Sequence, residues 1–185
     1  MFKQIFEKQN FADKPLSDTV YEECVFKNCD FSNADLSTIH FITCEFIQCD
    51  ISLARLTKTT FREVFFKDCK LLGLHFEHAN TFGLCFHFEN CMLKYASFYQ
   101  LKLKKTVFNN CQLQEADFTE CDASECIFEN CDLLHAIFDH TMLEKANFKT
   151  AFNYSINPQQ NRIKKAKFSF PAIIGLLDIY DIEIS

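Results

Sequence analysis

The sequence has few of the residues that mark phosphate loops, special turns or membrane spans. Of its 185 residues only 3 are glycine and 3 are proline. Glycines so few and so dispersed cannot form the glycine-rich loop that cradles a phosphate group. No apolar run approaches the roughly 20 residues of a membrane-spanning helix. The N-terminus also lacks the apolar stretch of a signal peptide. We therefore expect a cytoplasmic protein without membrane contact.

Positive charge is missing from one long stretch. The formal net charge is −6, which argues against direct binding to nucleic acid. Between Lys105 and Lys145 there is no Lys or Arg. The acidic residues of this stretch are Glu115, Asp117, Glu120, Asp122, Glu125, Glu129, Asp132, Asp139 and Glu144. Most such runs are solvated charged faces. A surface that fits a basic groove of a partner is the second interpretation.

The sequence also lacks a recognisable catalytic constellation. None of the 6 histidines stands at a spacing from Ser or Cys that suggests a triad. His75, His78 and His87 are close in sequence but are predicted on different faces or corners. We therefore expect no enzyme activity, no catalytic residue, no cofactor and no metal site.

Cysteine and phenylalanine recur together about every 20 residues. The cysteines are Cys29, Cys49, Cys69, Cys91, Cys111 and Cys131. The phenylalanines are Phe6, Phe26, Phe46, Phe66, Phe88, Phe108, Phe128 and Phe148. Both series contain one step of 22 residues at the same place, which indicates a two-residue insertion between Phe76 and Phe88. The chain is therefore predicted to be a solenoid of 20-residue coils. The insertion is either a kink or a small bulge that contacts a partner.

A shorter period of five residues runs inside each coil. Large apolar residues recur at Phe26, Phe31, Leu36, Phe41 and Phe46, and a smaller residue stands two positions before nearly every one. This period fits neither a helix nor a plain strand. It fits a coil with four sides, each with two inward residues. Since ten of the eleven cysteines occupy the small inward position, we expect reduced buried thiols, not disulfides or a metal column. Cys85 is the one thiol expected to be reactive.

Three segments carry a known repeat signature: Ala34-Asp35-Leu36-Ser37, Ala116-Asp117-Phe118-Thr119 and Ala146-Asn147-Phe148-Lys149. From about Phe6 to Phe152 the sequence resembles the pentapeptide-repeat protein family. The resemblance implies an all-β fold, a right-handed quadrilateral parallel β-helix of about seven coils with a short C-terminal helix cap. We accordingly assign residues 1–155 to the β-helix, with the insertion near 81–86. Residues 156–185 are assigned to a C-terminal cap or dimerisation segment with a short helix over 171–181.

Within the family, the sequence resembles members that confer quinolone resistance or microcin immunity. This resemblance implies a homodimer through the C-terminal segment and a DNA-mimicking rod that binds a type II topoisomerase, either DNA gyrase or topoisomerase IV. Such a rod would modulate the enzyme or protect it from quinolones or peptide toxins. The implied partner-binding surface is Glu115, Asp117, Glu120, Asp122, Glu125, Glu129 and Asp132. The implied dimer interface is Ile173, Ile174, Leu176, Leu177, Tyr180 and Ile182.

Two alternatives remain open. The C-terminal segment could cap only its own last coil, without a dimer. The rod could also be a β-helical interaction scaffold for an unrelated protein partner.

Overall fold

A computed structural model describes residues 1–183 as a parallel β-solenoid of about eight turns. Its twelve strands are β1 (Ile5–Glu7), β2 (Val20–Glu22), β3 (Val25–Lys27), β4 (His40–Ile42), β5 (Glu45–Ile47), β6 (Thr60–Arg62), β7 (Val64–Lys67), β8 (Phe86–Glu89), β9 (Val107–Asn109), β10 (Ile127–Glu129), β11 (Asn147–Phe148) and β12 (Lys167–Phe168). The predicted parallel β-helix is confirmed, with about eight coils where the sequence predicted seven.

The strands stack into two parallel sheets. Nine form one sheet in the order β1-β3-β5-β7-β8-β9-β10-β11-β12, and three form a second in the order β2-β4-β6. Pairing joins residues 20 apart, as in Phe26↔Phe46, and 22 apart across the insertion, as in Phe66↔Phe88. We number the four faces in chain order from the face that carries the nine-stranded sheet. Each corner takes the numbers of the faces it joins.

The ladder passes residue 155, the boundary predicted from the sequence. β11 pairs with β12, and the ring of Phe168 stacks on that of Phe148 at 5.3 Å with the planes 6° apart. Residues 171–176 and 178–180, within the predicted short helix, form 3₁₀ segments (Pro171–Leu176 and Asp178–Tyr180). The last two residues of the predicted 156–185 segment lie outside the described residues. No helix within residues 1–183 is both long and apolar enough to cross a bilayer.

Aromatic rings from successive coils stack along the inside of the rod. Phe26 and Phe46 lie 4.8 Å apart with planes 12° from parallel, and Phe108 and Phe128 lie 5.1 Å apart at 1°. A second column on the third face meets the first edge to face, as in Phe108 and Phe118 at 89°. Both arrangements are favourable for aromatic rings, at about 0.5–1.5 kcal/mol per pair beyond area burial. The five-residue period therefore places aromatic rings at regular intervals, and these rings fill the core.

Most corners adopt the left-handed backbone conformation at residues other than glycine. Nearly every fifth residue has positive φ, for example Asn28 (52°), Gln48 (54°) and Asp68 (54°). Such a residue costs about 1–2 kcal/mol relative to the right-handed form. Most corner N–H groups gain a partner in the next coil, as Asn28 N–H donates to the Ile47 carbonyl at 2.9 Å. The ladder of hydrogen bonds thus holds side-chain-bearing residues in a conformation that usually favours glycine.

The inward cysteines donate hydrogen bonds as well as filling space. The Cys49 thiol lies 3.3 Å from the Phe26 carbonyl oxygen, and the Cys69 thiol lies 3.2 Å from that of Phe46. Thr59 makes the equivalent bond on another face, from Oγ1 to the Leu36 carbonyl at 2.7 Å. A small side chain with a donor at this position therefore ties the carbonyl of one coil to the next coil.

At the two-residue insertion, a phenylalanine fills an inward position that holds a smaller residue in other coils. Phe86 occupies the inward position that holds Val64 in the coil before. Its ring is buried and lies 5.5 Å from that of Phe61 and 5.0 Å from that of Phe76. Thr81, where the period places a large inward residue, is exposed. The Phe86 ring thus fills space that a fourth-face side chain fills in other coils.

Candidate functional site

The predicted acidic surface is spread around the whole rod. Glu129 lies on the first face and Asp132 on the second. Asp117 lies on the third face and Asp122 on the fourth. Glu115, Glu120 and Glu125 occupy the three corners that follow the second, third and fourth faces, with φ of 57°, 55° and 59°. The seven residues therefore form a belt and not a single patch.

Two adjacent faces carry acid without any basic residue. On the second and third faces, residues 111–120 and 131–140 contain Glu115, Asp117, Glu120, Asp132 and Asp139 and no Lys or Arg. Coils of a parallel ladder are about 4.8 Å apart, so these five carboxylates lie within about 10 Å along the axis. We call residues 111–120 and 131–140 the acidic side.

The fourth face has a different electrostatic environment. Parallel pairing aligns Lys102 with Asp122, Asp122 with Met142, and Met142 with Arg162. Glu125 forms an ion pair with Lys104 at 3.6 Å. Further lysines lie on this face and its last corner, on both sides of the two acids: Lys105, Lys145, Lys164 and Lys165. The negative charge of Asp122 and Glu125 is therefore bracketed by positive charge.

The aspartates of the belt also shape the backbone. Asp122 Oδ1 accepts the Ser124 N–H at 3.1 Å, and Asp132 Oδ1 accepts the Leu134 N–H at 3.2 Å. Hydrogen bonding from Ser37, whose N–H donates to Asp35 Oδ1 at 3.0 Å, lowers the pKa of Asp35 in the same way. Such local bonds are typical of Asx turns. The aspartates thus have a structural role as well as a charge.

Exposed apolar side chains lie on or beside the acidic side, which sequence reasoning missed. Ile137 is 50% exposed and Leu134 43% exposed, both within residues 131–140. Tyr95 and Tyr99 are exposed one coil earlier, and Phe152 one coil later. Exposed aromatic and aliphatic residues grouped with charge are typical of protein-binding surfaces. The fixed 20-residue spacing could have predicted this grouping, because it places Tyr95 in the same corner column as Glu115.

The predicted dimer interface is divided between exposed and packed residues. Ile173, Ile174, Tyr180 and Ile182 are exposed, as is Phe170 at 90%. Leu176 packs against the core of the last coil, and Leu177 is half-buried. The exposed members form an apolar surface at the C-terminal end of the rod. Leu176 instead anchors this segment to its own chain.

Gly175 allows the segment to dock. A Cβ atom there would lie 1.9 Å from the Tyr154 carbonyl oxygen. The Gly175 carbonyl accepts the Ile156 N–H at 2.8 Å. Only a residue without a side chain permits this approach, so the glycine fixes the terminal segment against the last coil.

The cysteines are free, and ten of the eleven are buried. Burial raises the pKa of the Cys44 thiol to about 11 and that of Cys126 to about 12. Because the thiolate is the reactive form, these buried residues cannot serve as nucleophiles. Cys85, in the insertion, is exposed.

Comparisons with known proteins agree with this architecture. A family model described as a pentapeptide repeat region matches residues 19–98 and 43–115, and a model of pentapeptide repeats in eight copies matches residues 111–149. No curated protein sequence matches the chain.

Solved structures of other repeat rods are similar over most of the chain. Trypsin-treated QnrB1, a plasmid-mediated fluoroquinolone resistance protein, has 20% sequence identity over 100% of this chain and 99% of its own, with a TM-score of 0.46. HetL from the cyanobacterium Nostoc sp. strain PCC 7120, a pentapeptide repeat protein involved in heterocyst differentiation regulation, has 18% identity over 90% and 86%, with a TM-score of 0.48. The family models together span residues 19–149, and the chain belongs to the pentapeptide-repeat family.

Proposed function

We propose that this protein is a non-enzymatic interaction rod that mimics DNA and binds a type II topoisomerase through the acidic side. The observation that supports the proposal is a lysine- and arginine-free surface with five carboxylates over two coils. Duplex DNA carries one charge per about 1.7 Å of axis, or roughly six per 10 Å. Five carboxylates within about 10 Å approach that density. A groove that binds DNA would therefore attract this side of the rod.

Bound to the DNA-binding groove of gyrase or topoisomerase IV, the rod would compete with DNA. Competition of this kind modulates the enzyme, and it protects the enzyme from quinolones or peptide toxins that act on the DNA-bound state. The attraction is electrostatic between exposed groups, so it weakens as salt shortens the Debye length to about 8 Å at physiological ionic strength.

The test is DNA supercoiling by purified gyrase with the protein titrated in, with and without a fluoroquinolone. Glu115→Gln with Glu120→Gln removes two charges from the acidic side. Asp122→Asn with Glu125→Gln removes two charges from the bracketed fourth face and is the matched control. We expect the wild type and the control to inhibit supercoiling or relieve drug-induced cleavage, and the first variant to lose most of that effect. Equal effects of both variants, or none from the wild type, would reject the proposal.

A second candidate function is a scaffold for a protein that does not bind DNA. The exposed Ile137 and Leu134 favour it, because a groove lined by basic residues for DNA offers aliphatic side chains no apolar surface to pack against. Binding of a gyrase-unrelated partner that is lost in Ile137→Asp and retained at high salt would support this alternative.

We further propose that a second copy of the chain covers the apolar C-terminal surface. A monomer would leave Phe170, Ile174 and Tyr180 exposed to water at one end of the rod, where apolar side chains commonly mark an interface. Sedimentation should show a dimer at micromolar concentration. Ile174→Asp should give monomers, whereas Leu53→Asp, at an exposed leucine far along the rod, should stay dimeric. A monomeric wild type would contradict the dimer.

A further inference from the structure

His75, Glu77 and His78 bring three metal-ligating side chains together before the insertion. One ligating atom of each lies within 4.8 Å of those of the other two. His75 Nδ1 is 2.8 Å from Glu77 Oε1, and the two imidazole rings stack with centroids 5.3 Å apart and planes 17° apart. The sequence predicted separate positions for the two histidines and no metal. The structure places His75 on the third face and His78 at the following corner, and still brings their rings into contact.

A local change of backbone produces this contact. In the same corner column Thr38, Lys58, Gln100 and Glu120 all have positive φ. Here a 3₁₀ turn, Phe76–His78, takes the place of the left-handed corner, and the His78 N–H donates to the His75 carbonyl at 3.3 Å. This hydrogen bond closes a tight turn over residues 75–78, so the side chains of His75 and His78 lie on the same side of it. Between residues 38 and 140, this is the one third-to-fourth corner without a left-handed residue.

Glu77 contributes a carboxylate oxygen that lacks a partner. Its side chain is 19% exposed, and Oε1 faces His75. Oε2 is buried and has no hydrogen-bond partner. An unpartnered buried carboxylate oxygen is costly in a folded protein. A cation bound through Oε2 would satisfy it.

We propose that His75, Glu77 and His78 bind one divalent cation of the Zn²⁺, Ni²⁺ or Cu²⁺ class. Imidazole suits these metals, whereas Mg²⁺ and Ca²⁺ prefer sites made of oxygen alone. Tetrahedral ligands at about 2.0–2.1 Å from zinc lie about 3.3 Å from one another. Small side-chain rotations reach that geometry, because the His75 side chain is 60% exposed. Three protein ligands leave a position for water or a ligand from another molecule.

Calorimetric titration of the full chain with Zn²⁺ tests the proposal, with the thiols kept reduced and in a Cys85→Ser background. We expect one Zn²⁺ per chain, with affinity at least tenfold weaker in His78→Asn and in Glu77→Gln. His140→Asn is the matched control. His140 Nδ1 also lies 2.8 Å from a carboxylate, that of Asp139, but no second imidazole joins it in the described residues. This variant should bind Zn²⁺ as the wild type does.

Electron paramagnetic resonance with Cu²⁺ gives a readout that a merely structural role would not change. The spectrum should show two imidazole nitrogens in the parent and one in His78→Asn. Zinc should also raise the melting temperature of the parent, because a ligand that binds the folded state stabilises it. Unchanged zinc affinity in His78→Asn, equal loss in His140→Asn, or no zinc binding in the Cys85→Ser background would each overturn the assignment.

Discussion

Asp117 Oδ1 accepts a hydrogen bond from the Thr119 backbone N–H at 2.8 Å, so an acid of the predicted partner surface also supports the coil. The repeat uses asparagine in the same way, since Asn147 Oδ1 accepts the Lys149 N–H at 3.2 Å. Charge and backbone support can therefore be separated at this position.

We expect Asp117→Asn to leave stability nearly unchanged and Asp117→Lys to lower the free energy of unfolding by about 1 kcal/mol, the usual net value of one hydrogen bond. Urea unfolding measures both. Charge reversal at this position therefore disturbs the fold as well as the surface. Equal stability of the two variants would show that the bond contributes nothing.

Phe86→Ala should destabilise the protein strongly, because the ring fills the interior beside Phe61 and Phe76. A buried Phe→Ala change costs about 3–5 kcal/mol. Phe82, 74% exposed in the same insertion with its ring 5.3 Å from the Arg62 guanidinium, is the control, and Phe82→Ala should cost no more than about 1 kcal/mol. Thermal unfolding compares the two, and a small loss in Phe86→Ala would mean that the insertion is not held by this ring.

The buried thiols predict unfolding at alkaline pH. Eight cysteines have a pKa raised above the ordinary value of 9.0: Cys29, Cys44, Cys49, Cys69, Cys91, Cys111, Cys121 and Cys126. In the unfolded chain these thiols lose protons above about pH 9, whereas in the fold they keep them. Stability is therefore fully present below that pH and is lost as pH rises, by about 1.4 kcal/mol per pH unit for each thiol.

Urea unfolding at a series of pH values under reducing conditions measures this slope. Cys111→Ala should reduce the slope by the contribution of one thiol, about 1.4 kcal/mol per pH unit. Alanine is tolerated at this small inward position, as Ala96 and Ala116 show. Stability that is constant from pH 8 to pH 10 would contradict the prediction.

Gly175→Ala should release the C-terminal segment, because the added Cβ would lie 1.9 Å from the Tyr154 carbonyl oxygen. We expect faster hydrogen exchange at the Ile156 amide and a weaker dimer by sedimentation. Gly73→Asn is the control. Gly73 sits at a left-handed corner with φ of 61°, where other coils carry side chains, so this change should leave exchange at Ile156 as it is.

The inward residues and the order of the faces could be predicted from the sequence, because Phe and Cys report the 20-residue spacing directly. The C-terminal limit of the ladder was harder to predict. The five-residue series of large inward residues is interrupted after Phe148, where Asn153 and Pro158 stand, and it resumes with Ile163 and Phe168. The turn at Phe76–His78 could not be predicted, because it is a local change of backbone conformation and the spacing of His75 and His78 does not indicate it. The acidic residues could have been sorted by face from the spacing alone, and the separation of Asp117 from Asp122 follows from it.

The parallel register also gives the rod a fixed rise per coil. Every coil after the insertion adds 20 residues and about 4.8 Å, so equivalent positions of two coils are separated by a whole number of such steps. Deleting residues 106–125 would join Lys105 to Cys126, which occupies the column of the deleted Thr106, and would shorten the rod by one coil. Natural gain or loss of one repeat would likewise change how far apart two bound partners sit, while leaving the surfaces that bind them unaltered.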